Sequence, residues 1–279
     1  MQVSQESLAE ALSGRYAIAR LLGHGSTATV FLATDVATGG AVAIKAFRPD
    51  LAATVGLRRF LREVAVLRLL DHPNILPVLA SDTAGSLLYF VSPYAGDGSL
   101  AARLAAGWRP ALDEVLAVAW QMAAALDHAH DRNILHRDIK PANVLFDGAR
   151  VLVCDFGIAR AIEAAATDRS SSGFVLGTPA YMSPEQARGI GPLDARSDIY
   201  ALACVVYQML AGEPPLSGPT LQAIVARQAH GRPRRLGVVR PDLPAHVEAA
   251  LERALAKEPL RRPRSAGAFI GALAGGPAD

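Results

Sequence analysis

The sequence predicts an α+β fold of two lobes: a small antiparallel β-sheet lobe with one helix, then a larger, mainly α-helical lobe. Three observations carry this expectation. The first ninety residues read as short β-prone runs around turns. A connector, Ala95-Gly96-Asp97-Gly98, then changes the character of the chain. Beyond it the apolar residues recur at helical spacing.

The elements follow in order. Ala17–Leu22 and Thr29–Thr34 flank a Gly-containing turn, and Ala41–Phe47 follows the turn signal Gly39-Gly40. Val55–Leu70 reads as an amphipathic helix, because Leu57, Phe60, Val64 and Leu67 fall on one face. His72-Pro73 stops it. Ile75–Leu79 and Leu87–Ser92 read as two further strands. In the second lobe, Leu112, Leu116, Ala119, Ala123, Leu126 and His130 mark one face of a long helix. More helices are expected at 195–211, 218–229, 245–257 and 264–274. A loop-rich stretch spans about 155–190, longer than a compact domain keeps without a purpose.

The 279 residues suffice for two lobes of moderate size. The chain is 51% hydrophobic and 19% charged, which excludes a mostly disordered protein. A net charge of +2 gives no large nucleic-acid footprint. The two cysteines, Cys154 and Cys204, lack metal-ligand spacing and suit a reducing, cytoplasmic setting. The seven histidines form no HExxH motif or Cys/His cluster, so a zinc site is not expected. No secretory signal is visible, because Glu6, Glu10, Arg15 and Arg20 leave no apolar run between them. The uncharged apolar stretch Ile199–Gly212 falls short of the roughly 20 residues of a membrane span. It reads as a buried core helix, and no membrane segment is expected in this chain.

The cations divide unevenly. There are 25 Arg and only three Lys, namely Lys45, Lys140 and Lys257. Lys is a compact point charge that suits a phosphate, whereas Arg is a broad planar fork. The three lysines therefore attract attention, although Lys257 is expected to be an ordinary surface residue. Two basic clusters, Arg58-Arg59-Arg62 and Arg232–Arg235, read as solvated surface or as docking sites for phosphate or acidic segments.

The chemistry-bearing residues lie in a fixed order. Gly23-His24-Gly25-Ser26-Thr27-Ala28 sits between two predicted strands, where glycines let backbone N–H groups approach a phosphate. A tight hairpin gives the same pattern. No helix follows, so it is not a dinucleotide fingerprint. Lys45 ends the run Val42-Ala43-Ile44-Lys45 on the next strand. Glu63 sits on the apolar face of the following helix, where a carboxylate needs a partner or must lose its charge and Lys45 is a natural partner; the plainer readings are a Lys45 that points to solvent and a Glu63 at the edge of the stripe. The strongest run is His136-Arg137-Asp138-Ile139-Lys140-Pro141-Ala142-Asn143, with Asp155-Phe156-Gly157 beginning seventeen residues after Asp138. Asp138, Asn143 and Asp155 could supply one base and two oxygen ligands for Mg²⁺, and Lys140 could neutralise a transferring phosphate.

This ordered set resembles the eukaryotic-like serine/threonine protein kinases, especially their bacterial branch. The match is to a known signature. It continues through Gly177-Thr178-Pro179-Ala180-Tyr181-Met182-Ser183-Pro184-Glu185 to Asp198 and Arg262, and so covers nearly the whole chain. The resemblance implies a bilobal protein-kinase fold over residues 14–273. The small lobe would be 14–92, the hinge 93–96 and the large lobe 97–273, with 1–13 and 274–279 as short tails. It implies transfer of the ATP γ-phosphate to Ser or Thr hydroxyls of proteins, with ATP and Mg²⁺, in bacterial signal transduction.

Roles follow from the same resemblance. ATP would be bound by Leu22, Gly23, His24, Gly25, Ser26, Thr27, Ala28, Val30, Ala43, Lys45, Ser92, Pro93, Ala95 and Leu145. Lys45 would hold the α- and β-phosphates and pair with Glu63. Asp138 would orient the acceptor hydroxyl and take its proton, Asn143 and Asp155 would hold Mg²⁺, and Lys140 would meet the γ-phosphate. Lys140 and Thr178 point to Ser/Thr acceptors. Glu185 and Arg262 look like the family's ion pair. Asp198 looks like the brace of the catalytic loop, with an N-cap of a 199–211 helix as its plainer role. Arg137 before Asp138 implies a phosphorylated activation loop, with Thr167, Ser170, Ser171 and Ser172 as candidate sites. Activation in trans would need at least a transient homodimer.

The chain departs from the pattern at Ala28, Ser183 and Pro93. Ala28 and Ser183 are small where the family has Gly and Ala. Pro93 keeps the carbonyl that adenine needs. Ser92 at the gatekeeper position implies a pocket behind adenine, which Cys154 would border, though Cys154 reads more simply as a small buried apolar residue. A pseudokinase scaffold is the first rival, weakened by the presence of Lys45, Asp138, Asn143 and Asp155. A small-molecule phosphotransferase is the second, opposed by the Gly177–Glu185 segment, which in the family presents a protein substrate.

Overall fold

The computed structural model describes residues 3–25, 28–48, 67–85, 87–156, 179–189 and 191–277. They fall into two compact units. The first includes the chain up to Asp71 together with Leu76–Gly96, and the second includes His72–Ile75 and the chain from Asp97 to Phe156 and from Pro179 on.

The first unit is a five-stranded antiparallel sheet in the order β1-β2-β3-β5-β4. Its strands are β1 (Tyr16–His24), β2 (Ala28–Asp35), β3 (Ala41–Phe47), β4 (Ala80–Ala84) and β5 (Leu87–Pro93). Side chains alternate between the two faces. Phe31, Ala33, Val42, Ile44, Ala46, Tyr89 and Val91 are buried on one face in a single apolar cluster. A helix, α1 (Gln5–Ala11), contributes Leu8 to that cluster, followed by Leu12. Ser4 caps α1 by accepting from Ser7 N–H at 3.1 Å.

Two expectations need correction in this unit. Residues 1–13 are not merely a tail, because α1 lies within them and Leu8 is fully buried. Ile75–Leu79 is not a strand: Ile75 makes one isolated bridge to Val153, and the strand begins at Ala80. The apolar alternation was real, but Asn74 binds Gln121 Oε1 and the Val151 carbonyl and so draws the segment to other partners. Most of the Val55–Leu70 helix lies outside the described residues.

The second unit is helical. Its helices are α2 (Leu100–Ala105), α3 (Leu112–His130), α4 (Pro184–Arg188), α5 (Ala195–Ala211), α6 (Leu221–His230), α7 (Leu236–Val239), α8 (Ala245–Ala254) and α9 (Ala266–Leu273). A short hairpin of β6 (Val144–Asp147) and β7 (Arg150–Val153) turns at Gly148, whose φ of 61° suits a residue without Cβ. Ile199–Leu210 of α5 is apolar nearly all round and buried nearly throughout, as a helix at the centre of a bundle must be. Among the described residues, no helix is long and apolar enough to cross a membrane. Asp127 of α3 fixes the start of α9 by accepting from Ala266 and Gly267 N–H, each at 2.8 Å.

Candidate active site

Each unit carries one half of the candidate residues. In the sheet, antiparallel register puts Val30 opposite Lys45 and Lys45 opposite Phe90, while Ala43 lies opposite Ser92. Val30, Ala43, Lys45 and Ser92 therefore share one face, turned away from the apolar cluster. The Lys45 ammonium lies 5.9 Å from the centre of the Phe90 ring. The Gly25 N–H donates to the Ala28 carbonyl at 2.8 Å and draws the glycine turn closed. Among the described residues, a Cβ at Gly23 would meet nothing within 4 Å. The Ser92 hydroxyl is buried and has no hydrogen-bond partner among the described residues. Ser26, Thr27 and Glu63 lie outside the described residues, as do Thr178, Arg58, Arg59, Arg62 and the candidate phosphosites Thr167, Ser170, Ser171 and Ser172.

In the helical unit, the 136–143 run makes a tight polar cluster. Lys140 Nζ donates to Asp138 Oδ2 at 2.6 Å. Asn143 Nδ2 donates to the Asp138 carbonyl at 2.8 Å and to Oδ2 at 3.3 Å. Asp138 Oδ1 has no hydrogen bond among the described residues. The Asn143 amide nitrogen is engaged by Asp138, and Asn143 Oδ1 is a hard oxygen donor. The Cys154 N–H donates to the Asn143 carbonyl at 3.0 Å and ties the start of the Asp155 segment to the loop. An amide oxygen and a carboxylate are the donor types that suit Mg²⁺, so Asn143 and Asp155 fit that ion. Leu145 follows on β6.

Asp198 holds this cluster in place. It lies in the first turn of α5 and is almost fully buried. Its Oδ1 accepts from Arg137 N–H at 2.8 Å, and its Oδ2 accepts from His136 N–H at 2.8 Å. His130 Nε2 lies 2.8 Å from the same Oδ2. Burial alone would raise the Asp198 carboxyl, but these donors and the His130 contact hold it below the usual carboxylate range. Arg137 needs this support, because its φ of 69° is a left-handed conformation costly for a side-chain-bearing residue. The Gln186 amide completes the clamp by donating to the Arg137 carbonyl at 2.9 Å. The expected bracing by Asp198 is thus seen, but the expected N-cap is not. The helix starts earlier, and Asp194 caps it by accepting from Arg196 N–H at 2.8 Å.

His136 links the loop to the Asp155 segment. Its Nδ1 accepts from Asp138 N–H at 3.2 Å, so the proton resides on Nε2, which donates to the Cys154 carbonyl at 2.8 Å. Cys154 is only partly buried, unlike the buried apolar residue it was expected to be. Asp155 shares the left-handed conformation, with φ 69°.

The Glu185–Arg262 pair forms a two-pronged contact at 2.7 and 2.8 Å. Burial pushes Glu185 up, yet the Arg262 guanidinium and the Ser197 hydroxyl outweigh it and hold the carboxyl at about 2. Arg262 also donates to the Ala256, Arg196 and Lys257 carbonyls.

Sequence reasoning missed Gln186, Gln228 and the placing of Lys257. Gln186 had a signal, since Ser183-Pro184-Glu185-Gln186 is a capping box, and both of its hydrogen bonds form. Gln228 had none, because a polar residue on a helix reads as solvated. Lys257 is no ordinary surface residue: it is partly buried, and its Nζ donates to the Gln228 carbonyl at 2.8 Å. Of the second basic cluster, Arg235 pairs with Glu248 at 2.9 Å.

The profile of the protein kinase domain matches residues 16–266. This chain belongs to the protein kinase family. The kinase chain is 37% identical over 253 residues to the serine/threonine-protein kinase PrkC of Bacillus subtilis, covering 90% of itself and 39% of that protein. It is 36% identical over 280 residues to PknJ of Mycobacterium tuberculosis, covering 98% of itself and 47% of PknJ. With PknB of the same organism it shares 38% identity over 265 residues, covering 91% of itself and 42% of PknB. The chain thus spans less than half the length of these curated relatives, all bacterial serine/threonine kinases. Among solved structures, Rad53 residues 1–466 in complex with AMP-PNP matches with a TM-score of 0.77 at 24% identity, over 92% of this chain and 64% of that one. That likeness shows the bilobal kinase fold.

Proposed function

We propose that this chain, over residues 14–273, is a serine/threonine protein kinase that transfers the γ-phosphate of ATP to protein hydroxyls. The carrying observation is the Asp138–Lys140–Asn143 cluster, clamped from behind by Asp198 and Gln186. Bound ATP with Mg²⁺ supplies the transferable phosphoryl group. Asp138 Oδ1 receives the acceptor hydroxyl and takes its proton as the new bond forms. Lys140 contacts Asp138 Oδ2 in the resting structure and presents a point charge toward the phosphoryl oxygens. Asn143 Oδ1 and Asp155 hold the metal. Val30, Ala43, Lys45 and Ser92 offer one sheet face to the nucleotide, with Leu22, Gly23, His24, Gly25, Ser26, Thr27, Ala28, Pro93, Ala95 and Leu145 completing the ATP site, and Lys45 pairs with Glu63. Catalysis is then positioning and electrostatic stabilisation of charge.

The reading includes autophosphorylation within Thr167–Ser172, in trans through a transient homodimer, with Arg137 as the phosphate's partner. It includes a cytoplasmic site of action, in keeping with two cysteines, Cys154 and Cys204, whose spacing suits neither a metal site nor a disulfide framework. The test is labelling with radioactive ATP and Mg²⁺, comparing the native chain with Asp138→Asn, followed by phosphosite mapping. Label on Ser or Thr of the native chain alone supports the reading. Nucleotide binding with no transfer by either chain, to itself or to an added acceptor protein, would replace it with a nucleotide-binding scaffold.

A further inference from the structure

The helical unit contains a second buried polar network that the catalytic cluster does not use. Its centre is Gln228 on α6, a side chain with no exposed surface. Its Nε2 donates to the Ala180 carbonyl at 2.6 Å, and its Oε1 accepts from the Tyr200 hydroxyl at 2.7 Å. Every polar atom of this amide is aimed at a named partner, so the side chain has one orientation. Ala180 lies in the Pro179–Tyr181 turn, four residues before α4 begins. The neighbouring Tyr181 is anchored separately, its hydroxyl donating to Gln208 Oε1 at 2.5 Å.

Behind Gln228 sits Lys257. Its ammonium donates to the Gln228 carbonyl at 2.8 Å and lies 5.6 Å from the centre of the Tyr200 ring. Lys257 forms no ion pair with a carboxylate among the described residues. The groups that face it are the Tyr200 hydroxyl, the Cys204 thiol and the guanidinium groups of Arg262 and Arg188, and burial pulls its own ammonium down to about 8. A cation kept at such a cost does not serve packing, for which an apolar residue would do better.

We propose that Gln228 is a positioning residue for the protein acceptor, and that Lys257 and Tyr200 hold it in that role. Gln228 fixes the Ala180 carbonyl, and so the course of the Pro179–Glu185 segment, against α6. The proposal rests on the kinase reading above, in which that segment presents the protein substrate. Losing the Gln228 amide frees the segment without touching the groups that bind nucleotide, so the defect falls on recognition of the acceptor.

The experiment uses the whole chain with myelin basic protein as acceptor, varying acceptor and ATP separately. Gln228→Met keeps the volume and removes both hydrogen bonds. It is expected to raise the acceptor KM about tenfold, with the ATP KM and nucleotide affinity within about twofold of native. Lys257→Met is expected to raise the acceptor KM about threefold, and Lys257→Arg, which keeps a donor for the Gln228 carbonyl, to restore it. The double variant should fall short of the product of the single effects, because the two residues act through one contact. An unchanged acceptor KM in Gln228→Met overturns the proposal, as does an equal loss in every kinetic parameter. Should Gln228→Met fail to bind nucleotide, the Lys257 pair decides by the same criterion. Absence of transfer by the native chain is a different result: it removes the kinase reading, and the proposal with it.

Discussion

The Glu185–Arg262 pair allows a stability prediction with its sign fixed by the structure. The Arg262 side chain has no exposure and that of Glu185 only 14%. The gap between the ordinary carboxyl value of 4.5 and about 2 in the folded protein corresponds to ~3 kcal/mol of stability at neutral pH. Because the folded value is depressed, that contribution is complete above about 4.5 and fades as the pH falls toward 2. Arg262→Met removes the cation and strands the carboxylate, along with the Ala256, Arg196 and Lys257 carbonyls that Arg262 serves. The expected loss at pH 7 is about 3–5 kcal/mol, or roughly 10 °C in Tm for a chain of this size. With Arg262 gone, burial dominates Glu185 and its carboxyl titrates higher, so the share of the acid limb below 4.5 that Glu185 contributes should vanish, while that of Asp198 stays. Thermal and urea unfolding from pH 7 down to pH 3 would measure both effects. A loss under about 1 kcal/mol, the range of an exposed pair, would refute the argument that this pair is buried and dominant. Parallel acid limbs in native and variant would refute the assignment of that share to Glu185.

Three more outcomes follow from the same structure. Asp198→Asn places an NH₂ group where a second acceptor oxygen stood, opposite the His136 and Arg137 N–H groups. It should cost about 2–4 kcal/mol in unfolding experiments and lower kcat, with Arg137 no longer held in its left-handed conformation. Asp138→Asn should retain nucleotide affinity and lower phosphate transfer by about 10²–10⁴, measured by single-turnover transfer to an acceptor protein. Leu8→Ala opens a cavity in the core of the sheet unit, where Leu8 has 0% exposure. A loss of about 2–5 kcal/mol in urea unfolding is expected, and an unchanged midpoint would mean that α1 is not part of that core.

Much of this protein was legible in its sequence because its motifs are local. Val42–Lys45 is a strand by composition. His136–Asn143 is a candidate catalytic run in which the polar atoms of Asp138, Lys140 and Asn143 find each other over five residues. Ile199–Leu210 is a core helix by its unbroken apolarity. Such features need only short-range geometry, and pattern fixes it. The errors fell where long-range partners decide. Ile75–Leu79 has the alternation of a strand, but Asn74 is drawn to Gln121 and β7. Residues 5–11 lack a strong motif, and only packing against the apolar face of the sheet makes Leu8 a core residue. Asp198 is a local error of another kind: it precedes an apolar run and so looks like a cap, but the helix expected over 195–211 forms as α5 and Asp194 caps it.

By itself the sequence determined the two-lobed plan, the order of the motifs and which side chains are candidates for the catalytic groups, because these depend on residue type and spacing. Tertiary structure alone decided which polar residues are buried together. Gln228 and Lys257 are 29 residues apart, and Gln228 and Ala180 are 48 apart. No local pattern couples such positions. A buried amide or ammonium is tolerated only when every polar atom finds a partner, and those partners exist only once the helices have packed.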